Sequence, residues 1–364
     1  MGLDRTGHYT TKDIRKKKAQ YNIVVGERSP GKSYAVKRDL LELAYETKKP
    51  SFIVIRRYEE DIKTAYVQQY FADNCTSDGN SGEVFTVTHG EYELIYVYQS
   101  RIYFANKDPD SGRVIPGIQI GYAMALSQDE RYKSQQFPDV SEIVFEEFVT
   151  RKLYLKDEVI RFMNLVSTIA RKREVHVWMI ANSISRVCPY FTEWGLRNIP
   201  KMKEGTIDIY TVDDTKIAVE MCPSLKKKSK MFFGHAAKSI QGGQWETDIL
   251  PTLPGSYEDD YEKLYEVYVE GEGFTFKLEL LIDEDGDCVI YVYPFTKTIK
   301  PDLPVICDDF DVSQMKRPYL KRSIRPEVKI SELYAQGKIC FASNLCGTDF
   351  YAVVKNMKGG LLAR

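Results

Sequence analysis

Residues 26 to 33 have the types and the spacing of a phosphate-binding loop. Gly26-Glu27-Arg28-Ser29-Pro30-Gly31-Lys32-Ser33 follows the pattern G-x-x-x-x-G-K-S. In such a loop, backbone N–H groups and the positive end of the following helix dipole stabilise phosphate. Lys32 is predicted to reach the β and γ phosphates of a nucleoside triphosphate, and the Ser33 hydroxyl to bind magnesium. Gly26 through Tyr34 are therefore the predicted nucleotide-binding residues.

A pair of acids follows the apolar run Ile143-Val144-Phe145. In a phosphate-loop ATPase, the first acid after such a strand contacts the magnesium shell, and the second lies beside the attacking water. Glu146 is therefore predicted to bind magnesium and Glu147 to activate water, although Glu146 stands where aspartate is more usual. The alternative is that both acids simply end a strand at the surface.

The segments around these motifs alternate between strand and helix patterns. Apolar runs at 21–25, 51–55, 118–126, 143–145 and 175–180 predict strands, and amphipathic spacing at 33–47 and after Asp157 predicts helices. Alternating residues over 83–106 predict a β-hairpin. The order predicts an α/β domain with a mostly parallel sheet, the RecA-like class of phosphate-loop NTPase. Asn182 leaves the last strand, either to sense the γ-phosphate or as a turn residue.

Length and composition predict a cytosolic protein with more than one domain. The chain has 364 residues, of which 43% are hydrophobic and 28% are charged. Proline and glycine near 189–200 and 251–255 predict boundaries between residues 1–198, 199–252 and 253–364. The seven cysteines are scattered, the four histidines are dispersed, and neither a signal peptide nor a membrane-spanning run is recognisable. We therefore expect reduced thiols, no histidine metal site and no membrane.

Opposite charges are segregated along the chain. Fourteen acids and two lysines lie between Gln244 and Ile290, a local charge of −12, whereas KRPYLKRSIRPEVK at 316–329 has six basic residues and one acid. The first segment should repel nucleic acid, and the second could attract it. A further cluster, Lys226-Lys227-Lys228 with Lys230, is also basic. A solvated surface is the alternative interpretation of each.

With these segments in place, the chain resembles a known family over most of its length, best over residues 20 to 200. The family is the double-stranded DNA encapsidation ATPases of small podoviruses, the phi-twenty-nine-like, RNA-assisted packaging motors. The resemblance lies in residues 26–34, 52–58, 143–148, 164–174 and 189–191 and in Asn182.

The resemblance implies an ATP-driven motor that moves viral double-stranded DNA into a preformed prohead. It implies a ring, by family analogy a pentamer, docked on the portal with packaging RNA. It also implies a place in the host cytoplasm, transient attachment to the prohead and absence from the mature virion. Such rings bind ATP between subunits, and a neighbour inserts an arginine finger. Arg171 matches the finger position and Lys133 a second trans-acting position, although Arg171 also suits a basic last helical turn.

For the C-terminal part, the resemblance implies a linking domain followed by an α+β, ribonuclease-H-like domain without cleavage activity. Two-metal nucleases gather acids from several strands around the metal pair. The acids of 283–287 instead lie between the strand runs 274–282 and 288–293, where they predict a hairpin turn. Since the surrounding charge also repels DNA, a vestigial nuclease fold is expected.

A motor that releases and re-grips DNA needs phosphate contacts from lysine and arginine. The candidates for these contacts are Arg56, Arg57 and Lys63 in the first domain and Lys226, Lys227, Lys228 and Lys230 in the linking segment. Packaging RNA or the prohead could instead explain the 316–329 cluster. Two other functions stay open: a nucleotide-binding module without turnover, and a terminase-like protein with residual nuclease activity. A phosphate-loop kinase is not favoured. It would lack the paired acids at the end of a strand, which this sequence has, and it would need a lid, which this sequence does not indicate.

Overall fold

The computed structural model describes residues 8–26, 31–77, 80–150, 154–182, 188–196, 198–199, 202–223, 250–308, 316–317, 332–333 and 336–357. The chain folds into two compact units. The first comprises Met1–Thr150, Tyr154–Ile184 and Asn198–Gln244, and the second comprises Arg151–Leu153, Ser185–Arg197 and Trp245–Arg364.

The first unit is built on one mixed sheet. Within the described residues it has nine strands: β1 (Tyr21–Gly26), β2 (Phe52–Arg56), β3 (Leu94–Tyr98), β4 (Arg101–Lys107), β5 (Val114–Ala125), β6 (Glu142–Glu146), β7 (His176–Asn182), β8 (Thr206–Val212) and β9 (Thr215–Met221). The strand order is β3-β4-β5-β2-β6-β7-β1-β9-β8. The six central strands run parallel, whereas β3, β4 and β8 pair antiparallel at the edges.

Helices cover this sheet and bury its central strands. They are α1 (Lys12–Arg15), α2 (Lys32–Thr47), α3 (Thr64–Tyr70), α4 (Glu83–Val87), α5 (Asp129–Tyr132) and α6 (Glu158–Ala170), with 3₁₀ turns at Glu59–Ile62, Ala72–Asn74 and Leu126–Gln128. Helix α2 buries Val36, Leu40 and Leu41 at helical spacing. Strands β1, β2 and β6 have consecutive buried residues, as expected for parallel strands covered on both faces. The α/β class predicted from the sequence is confirmed.

The predicted hairpin over 83–106 is shorter than expected and covers residues 94–107. Strands β3 and β4 form it through a turn at Gln99 and Ser100, which both have positive φ. Residues Glu83–Val87 form α4 instead of a strand. Val84 is fully buried in the core beside α2, so tertiary packing overrides the β propensity of this segment.

The segment predicted to link two domains instead completes the first sheet. Strand β9 pairs parallel with β1, and β8 pairs antiparallel with β9, so the described residues 202–223 belong to the first unit. Ala218 and Val219 of β9 are fully buried in that unit. The chain therefore passes from the second unit back to the first between Arg197 and Asn198, near the boundary predicted at residue 198.

The second unit has the α+β character expected of residues 253–364. Its described elements are the helices α7 (Pro189–Glu193), α8 (Tyr257–Asp260) and α9 (Asn344–Asn356) and the strands β10 (Tyr261–Gly271), β11 (Phe274–Asp283), β12 (Cys288–Pro294), β13 (Val305–Ile306), β14 (Lys316–Arg317) and β15 (Ile339–Phe341). The sheet order is β14-β13-β10-β11-β12-β15, with β11 antiparallel to both β10 and β12. Phe276 and Leu278 of β11 pack in one core with Phe350 and Val353 of α9.

The acidic run at 283–287 forms the predicted hairpin turn between β11 and β12. The Asp283 and Asp287 backbones are hydrogen-bonded across it, and Gly286 has a φ of 83°. Among the described residues, no group of three or more His, Cys, Asp or Glu side chains is arranged to hold a metal ion. None of the described helices is long and apolar enough to cross a membrane.

Candidate active site

The carboxyl ends of the central parallel strands meet at one edge of the first sheet. Four of the predicted site residues lie there: Lys32, Glu146, Glu147 and Asn182. Gly26 at the end of β1 is in register with Asn182 at the end of β7. Glu146 at the end of β6 is in register with Ile180. A side chain at Gly26 would place its Cβ 2.7 Å from the Cβ of Cys222, so only glycine fits where the chain leaves β1.

The second half of the phosphate loop leads directly into α2. Residues Glu27, Arg28, Ser29 and Pro30 lie outside the described residues. Gly31 has φ 85° and ψ 26°, a left-handed conformation that favours glycine, and it caps the N-terminus of α2. The first N–H groups of this 16-residue helix and its positive dipole end therefore point to the edge where the strands end.

The Lys32 ammonium lies between the ends of β1 and β7. Its Nζ donates to the Gly26 carbonyl at 3.1 Å and lies 3.5 Å from Oδ1 of Asn182. Lys32 is only 5% exposed, so its charge is held in the site and away from solvent. Asn182 belongs to β7 and not to a turn, and its amide is beside the loop lysine.

Ser33 and Glu146 are brought together, as a magnesium site requires. Tyr70 donates its hydroxyl proton to Oε1 of Glu146 at 2.9 Å, and the Ser33 side chain lies close enough to the Glu146 carboxylate to lower its pKa. Burial raises the pKa of Glu146, and the Ser33 and Tyr70 side chains oppose that shift. One carboxylate and one hydroxyl are hard oxygen donors, which suit a magnesium ion that takes its other ligands from phosphate and water.

Glu147 turns away from β6 in an unusual backbone conformation. Its φ of 55° is in the left-handed region, which costs a non-glycine residue on the order of 1–3 kcal/mol. Its amide donates to the Ile180 carbonyl at 2.8 Å. Its carboxylate Oε2 accepts from Nη2 of Arg56 at 2.8 Å, and the side chain is about half exposed. The carboxylate is thus presented to the solvent at the same edge as Lys32.

Both arginines predicted to contact DNA have other partners in the structure. Arg56 is paired with Glu147. Arg57 is 5% exposed and forms a bidentate ion pair with Glu158, so it does not reach a surface where DNA could bind. Lys63 is exposed at the start of α3, and its DNA contact stays a prediction. Lys226, Lys227, Lys228 and Lys230 lie outside the described residues.

Arg171 and Lys133 lie at the opposite edge of the sheet. Nη2 of Arg171 donates to the Gln135 carbonyl at 2.9 Å and lies 3.5 Å from the Lys133 carbonyl, and the Lys133 ammonium is paired with Glu130. This cluster lies at the amino ends of β6 and β7. The two strands begin side by side there, because the His176 amide donates to the Ser141 carbonyl. At about 3.3 Å per residue, strands of this length separate the two edges by roughly 13–20 Å. Arg171 therefore cannot reach the phosphate loop of its own chain.

A cavity of about 840 Å³ opens beside Gly31. It lies between residues 8–12 and one face of α2, and its lining includes His8, Thr10, Lys12, Arg38 and Asp39. Its volume is in the usual range for small-molecule sites, about 300–1,000 Å³. Sequence reasoning did not identify this cavity, nor the roles of Tyr70, Arg57 and Glu158, because their contacts are distant in sequence.

Two comparisons of sequence agree with these observations. The profile of the family described as podovirus DNA encapsidation protein (Gp16) matches residues 3–249. The DNA packaging proteins of Bacillus phages PZA and phi29 are each 28% identical to this chain over 251 residues. Those residues are 68% of this chain and 66% of each relative, so the match spans just under two thirds of the relatives.

A solved structure shows the same fold. In the bacteriophage Phi-29 viral genome packaging motor assembly, one chain matches with a TM-score of 0.56 and 22% identity, over 95% of this chain and 98% of that one. Since the family profile covers 3–249 of the 364 residues, this chain belongs to the podovirus DNA encapsidation protein (Gp16) family.

Proposed function

We propose that this chain is an ATP hydrolase whose turnover drives viral double-stranded DNA into a preformed prohead. The observation that carries the proposal is the convergence of Lys32, Ser33, Glu146 and Glu147 at one edge of a parallel sheet. Lys32 supplies a positive charge for the phosphates, Ser33 and Glu146 supply two oxygen ligands for magnesium, and Glu147 supplies a general base. A phosphate-loop hydrolase needs all of these parts.

ATP binds with its phosphates at the N-terminus of α2 and against the Lys32 ammonium. The cavity beside Gly31 is large enough for the base and ribose. Ser33 and Glu146 would hold magnesium, which would supply positive charge to stabilise the phosphates. Asn182, 3.5 Å from Lys32, is close enough to this position to contact the γ-phosphate.

Glu147 accepts a proton from the water that attacks the γ-phosphate. General bases of this kind contribute about 10²–10⁴-fold to rate. In the observed conformation Oε2 of Glu147 accepts from Arg56, so this oxygen becomes available to the attacking water only when the ion pair opens or shifts. Arg56 and the attacking water therefore compete for the same side chain.

Subunits act on one another's nucleotide in a ring. What supports this step is the distance of Arg171 and Lys133 from the phosphate loop of their own chain. An arginine finger supplied in trans stabilises charge on the transferred phosphoryl group, and in other systems is worth about 10³–10⁵ in rate. We propose Arg171 as the finger, Lys133 as a second trans-acting residue, and a ring of five subunits.

The proposed partners are double-stranded DNA, the portal of the prohead and packaging RNA. The matching solved chain comes from a viral genome packaging motor assembly, and the relatives are named DNA packaging proteins. The protein would act in the host cytoplasm, attach transiently to the prohead and be absent from the mature virion. Sequence-independent DNA contacts from Lys63 and the lysines of 226–230 complete this scheme.

The alternative functions are less well supported. A nucleotide-binding module without turnover gives no role to Glu147, whose carboxylate lies at the same edge of the sheet as Lys32. For residual nuclease activity, the described part of the second unit offers no cluster of acids suited to metal ions, and its acidic run is a hairpin turn.

The experiment is a defined packaging assay. Proheads, viral DNA, the parent protein and ATP are combined, and DNA protected from added nuclease is measured. We expect protected DNA with the parent and none with Lys32→Ala, which loses the phosphate contact. Lys48→Ala, which removes an exposed ion pair to Glu91, is the matched lysine control and should package normally. Equal packaging by Lys32→Ala would overturn the proposal.

A further inference from the structure

We infer that Arg57 is a positioning residue that fixes the backbone of Glu147 and thereby aims its carboxylate at the attacking water. The inference rests on the proposed function, because it assigns Arg57 a task only if Glu147 is the general base. Arg57 acts on the reaction through Glu147 and not through the nucleotide.

The guanidinium of Arg57 has the contacts of a clamp on residues 147 and 148. Nη1 donates to the Glu147 carbonyl at 3.1 Å, and Nη2 donates to the Phe148 carbonyl at 2.6 Å. The first of these carbonyls belongs to the strained Glu147 itself, and the second to the residue that follows it. A left-handed non-glycine residue persists only when its surroundings over-determine it, and these two hydrogen bonds do so from one side.

Helix α6 holds the clamp in place. Nε and Nη2 of Arg57 bind the two carboxylate oxygens of Glu158 at 2.8 and 2.9 Å, and Glu158 also accepts from the Leu155 amide. The side chains of Arg57 and Glu158 are 5% and 1% exposed. Only arginine presents a planar fork that can serve a carboxylate and two carbonyls at once, so lysine cannot substitute.

The other side of Glu147 is fixed as well. Its amide donates to Ile180 of the neighbouring strand, so hydrogen bonds hold the residue before and after its Cα. With the backbone held, the carboxylate has only its own rotamers to search. Loss of the Arg57 hydrogen bonds would let the peptide relax toward a common conformation and move the carboxylate.

The test uses a variant that removes both charges, because breaking only one partner leaves an uncompensated buried charge. The variant Arg57→Met with Glu158→Leu approximately keeps the volume of the two side chains. It removes the N–H groups that donate to the Glu147 and Phe148 carbonyls. We expect this variant to melt cooperatively, to bind ATP with magnesium within about threefold of the parent, and to lose at least about tenfold in kcat with little change in KM.

A matched control lies one turn along the same helix. Arg161 pairs with Asp129 and donates to the Ser127 carbonyl, so it anchors α6 to residues 127 and 129. Arg161→Met with Asp129→Leu should keep kcat within about twofold of the parent. An equal loss of kcat in this control would show that α6 anchoring in general is responsible, and would overturn the inference.

A double-mutant cycle separates this inference from the proposed function. In the Glu147→Gln background, the Arg57→Met, Glu158→Leu change should lower turnover by less than about twofold, since its target is already inactive. A further loss of about tenfold there would contradict positioning through Glu147.

The two ideas fail in different ways. If Glu147→Gln alone turns over like the parent, Glu147 is not the general base, and this part of the proposed function fails together with the inference. If Glu147→Gln is inactive but the Arg57→Met, Glu158→Leu variant turns over like the parent, the inference alone fails. Should that variant not fold, Arg57→Lys supplies the same comparison and should give the same pattern.

Discussion

The Arg56 guanidinium and the Glu147 carboxylate form a charge-assisted hydrogen bond, with Nη2 2.8 Å from Oε2. Arg56 ends β2 and Glu147 follows β6, so neighbouring parallel strands bring the two residues together. A carboxylate that accepts this bond is less available to accept a proton from water. The ion pair therefore occupies one carboxylate oxygen of the proposed base, and loss of Arg56 would release it.

Arg56→Ala should raise ATP hydrolysis measured without DNA and reduce the stimulation by DNA. Because the pair is partly exposed, its interaction free energy is at most about 1 kcal/mol, which corresponds to an increase of up to about fivefold. Steady-state phosphate release with and without DNA measures both quantities, and Lys48→Ala is the control. A fall in basal hydrolysis would assign Arg56 a direct role in turnover.

Mixing two inactive variants should restore activity if Arg171 acts on a neighbouring subunit. Arg171→Ala lacks the finger and Glu147→Gln lacks the base, but a mixed ring contains interfaces in which both are intact. We expect turnover above the sum of the separate variants, with a maximum at an intermediate mixing ratio. No recovery in rings that demonstrably contain both subunits would assign Arg171 to the helix end alone.

Glu220 should make the stability of the first unit depend on pH. It is 1% exposed, Tyr9 donates to its Oε2 at 2.8 Å, and its Oε1 has no hydrogen-bond partner among the described residues. Burial raises its pKa above the ordinary 4.5. The folded chain therefore holds a proton that the unfolded chain releases, and this stabilisation is lost as pH rises through the raised pKa.

Glu220→Gln removes this titration while keeping the side-chain shape. We expect the free energy of unfolding of the variant to increase relative to the parent as pH rises from about 5 to about 8. Urea unfolding at several pH values measures the difference. Parallel pH profiles for the two proteins would show that Glu220 does not titrate with folding.

The basic segments should differ in their effect on DNA. Neutralising Lys226, Lys227 and Lys228 should weaken DNA-stimulated hydrolysis and flatten its dependence on salt, because each phosphate contact releases counterions. Neutralising Lys316, Arg317, Lys321 and Arg322 should spare that stimulation and impair attachment to proheads. The comparison uses hydrolysis over a salt series and co-sedimentation with proheads, and the reverse pattern would relocate the DNA path.

Local patterns predicted the centre of the site because its residues are close in sequence to the strands that carry them. Gly31 to Ser33 follow β1, and Glu146 and Glu147 lie at the end of β6. Once both segments are identified as parallel strands, these residues must lie at the same edge of the sheet. The same reasoning failed for 83–87, where burial of Val84 beside α2 overrides a strand-like pattern.

The supporting contacts could not be read from the sequence in the same way. Tyr70 and Glu146 are 76 positions apart, and Arg57 and Glu158 are 101 apart. The sequence around each of these four residues does not indicate which distant residue it contacts. The place of β9 beside β1 likewise depends on a long-range parallel pairing, which proline and glycine positions in the sequence do not indicate.

Glu147 is the residue on which the proposed ATP hydrolysis depends. Single-turnover hydrolysis of ATP by Glu147→Gln, together with the affinity of this variant for ATP and magnesium, tests that role. We predict parental affinity within a few-fold and a hydrolysis rate lower by at least about 10²-fold, since glutamine cannot accept the proton. Hydrolysis within a few-fold of the parent rate, at full nucleotide occupancy, would contradict the assignment of Glu147 as the base.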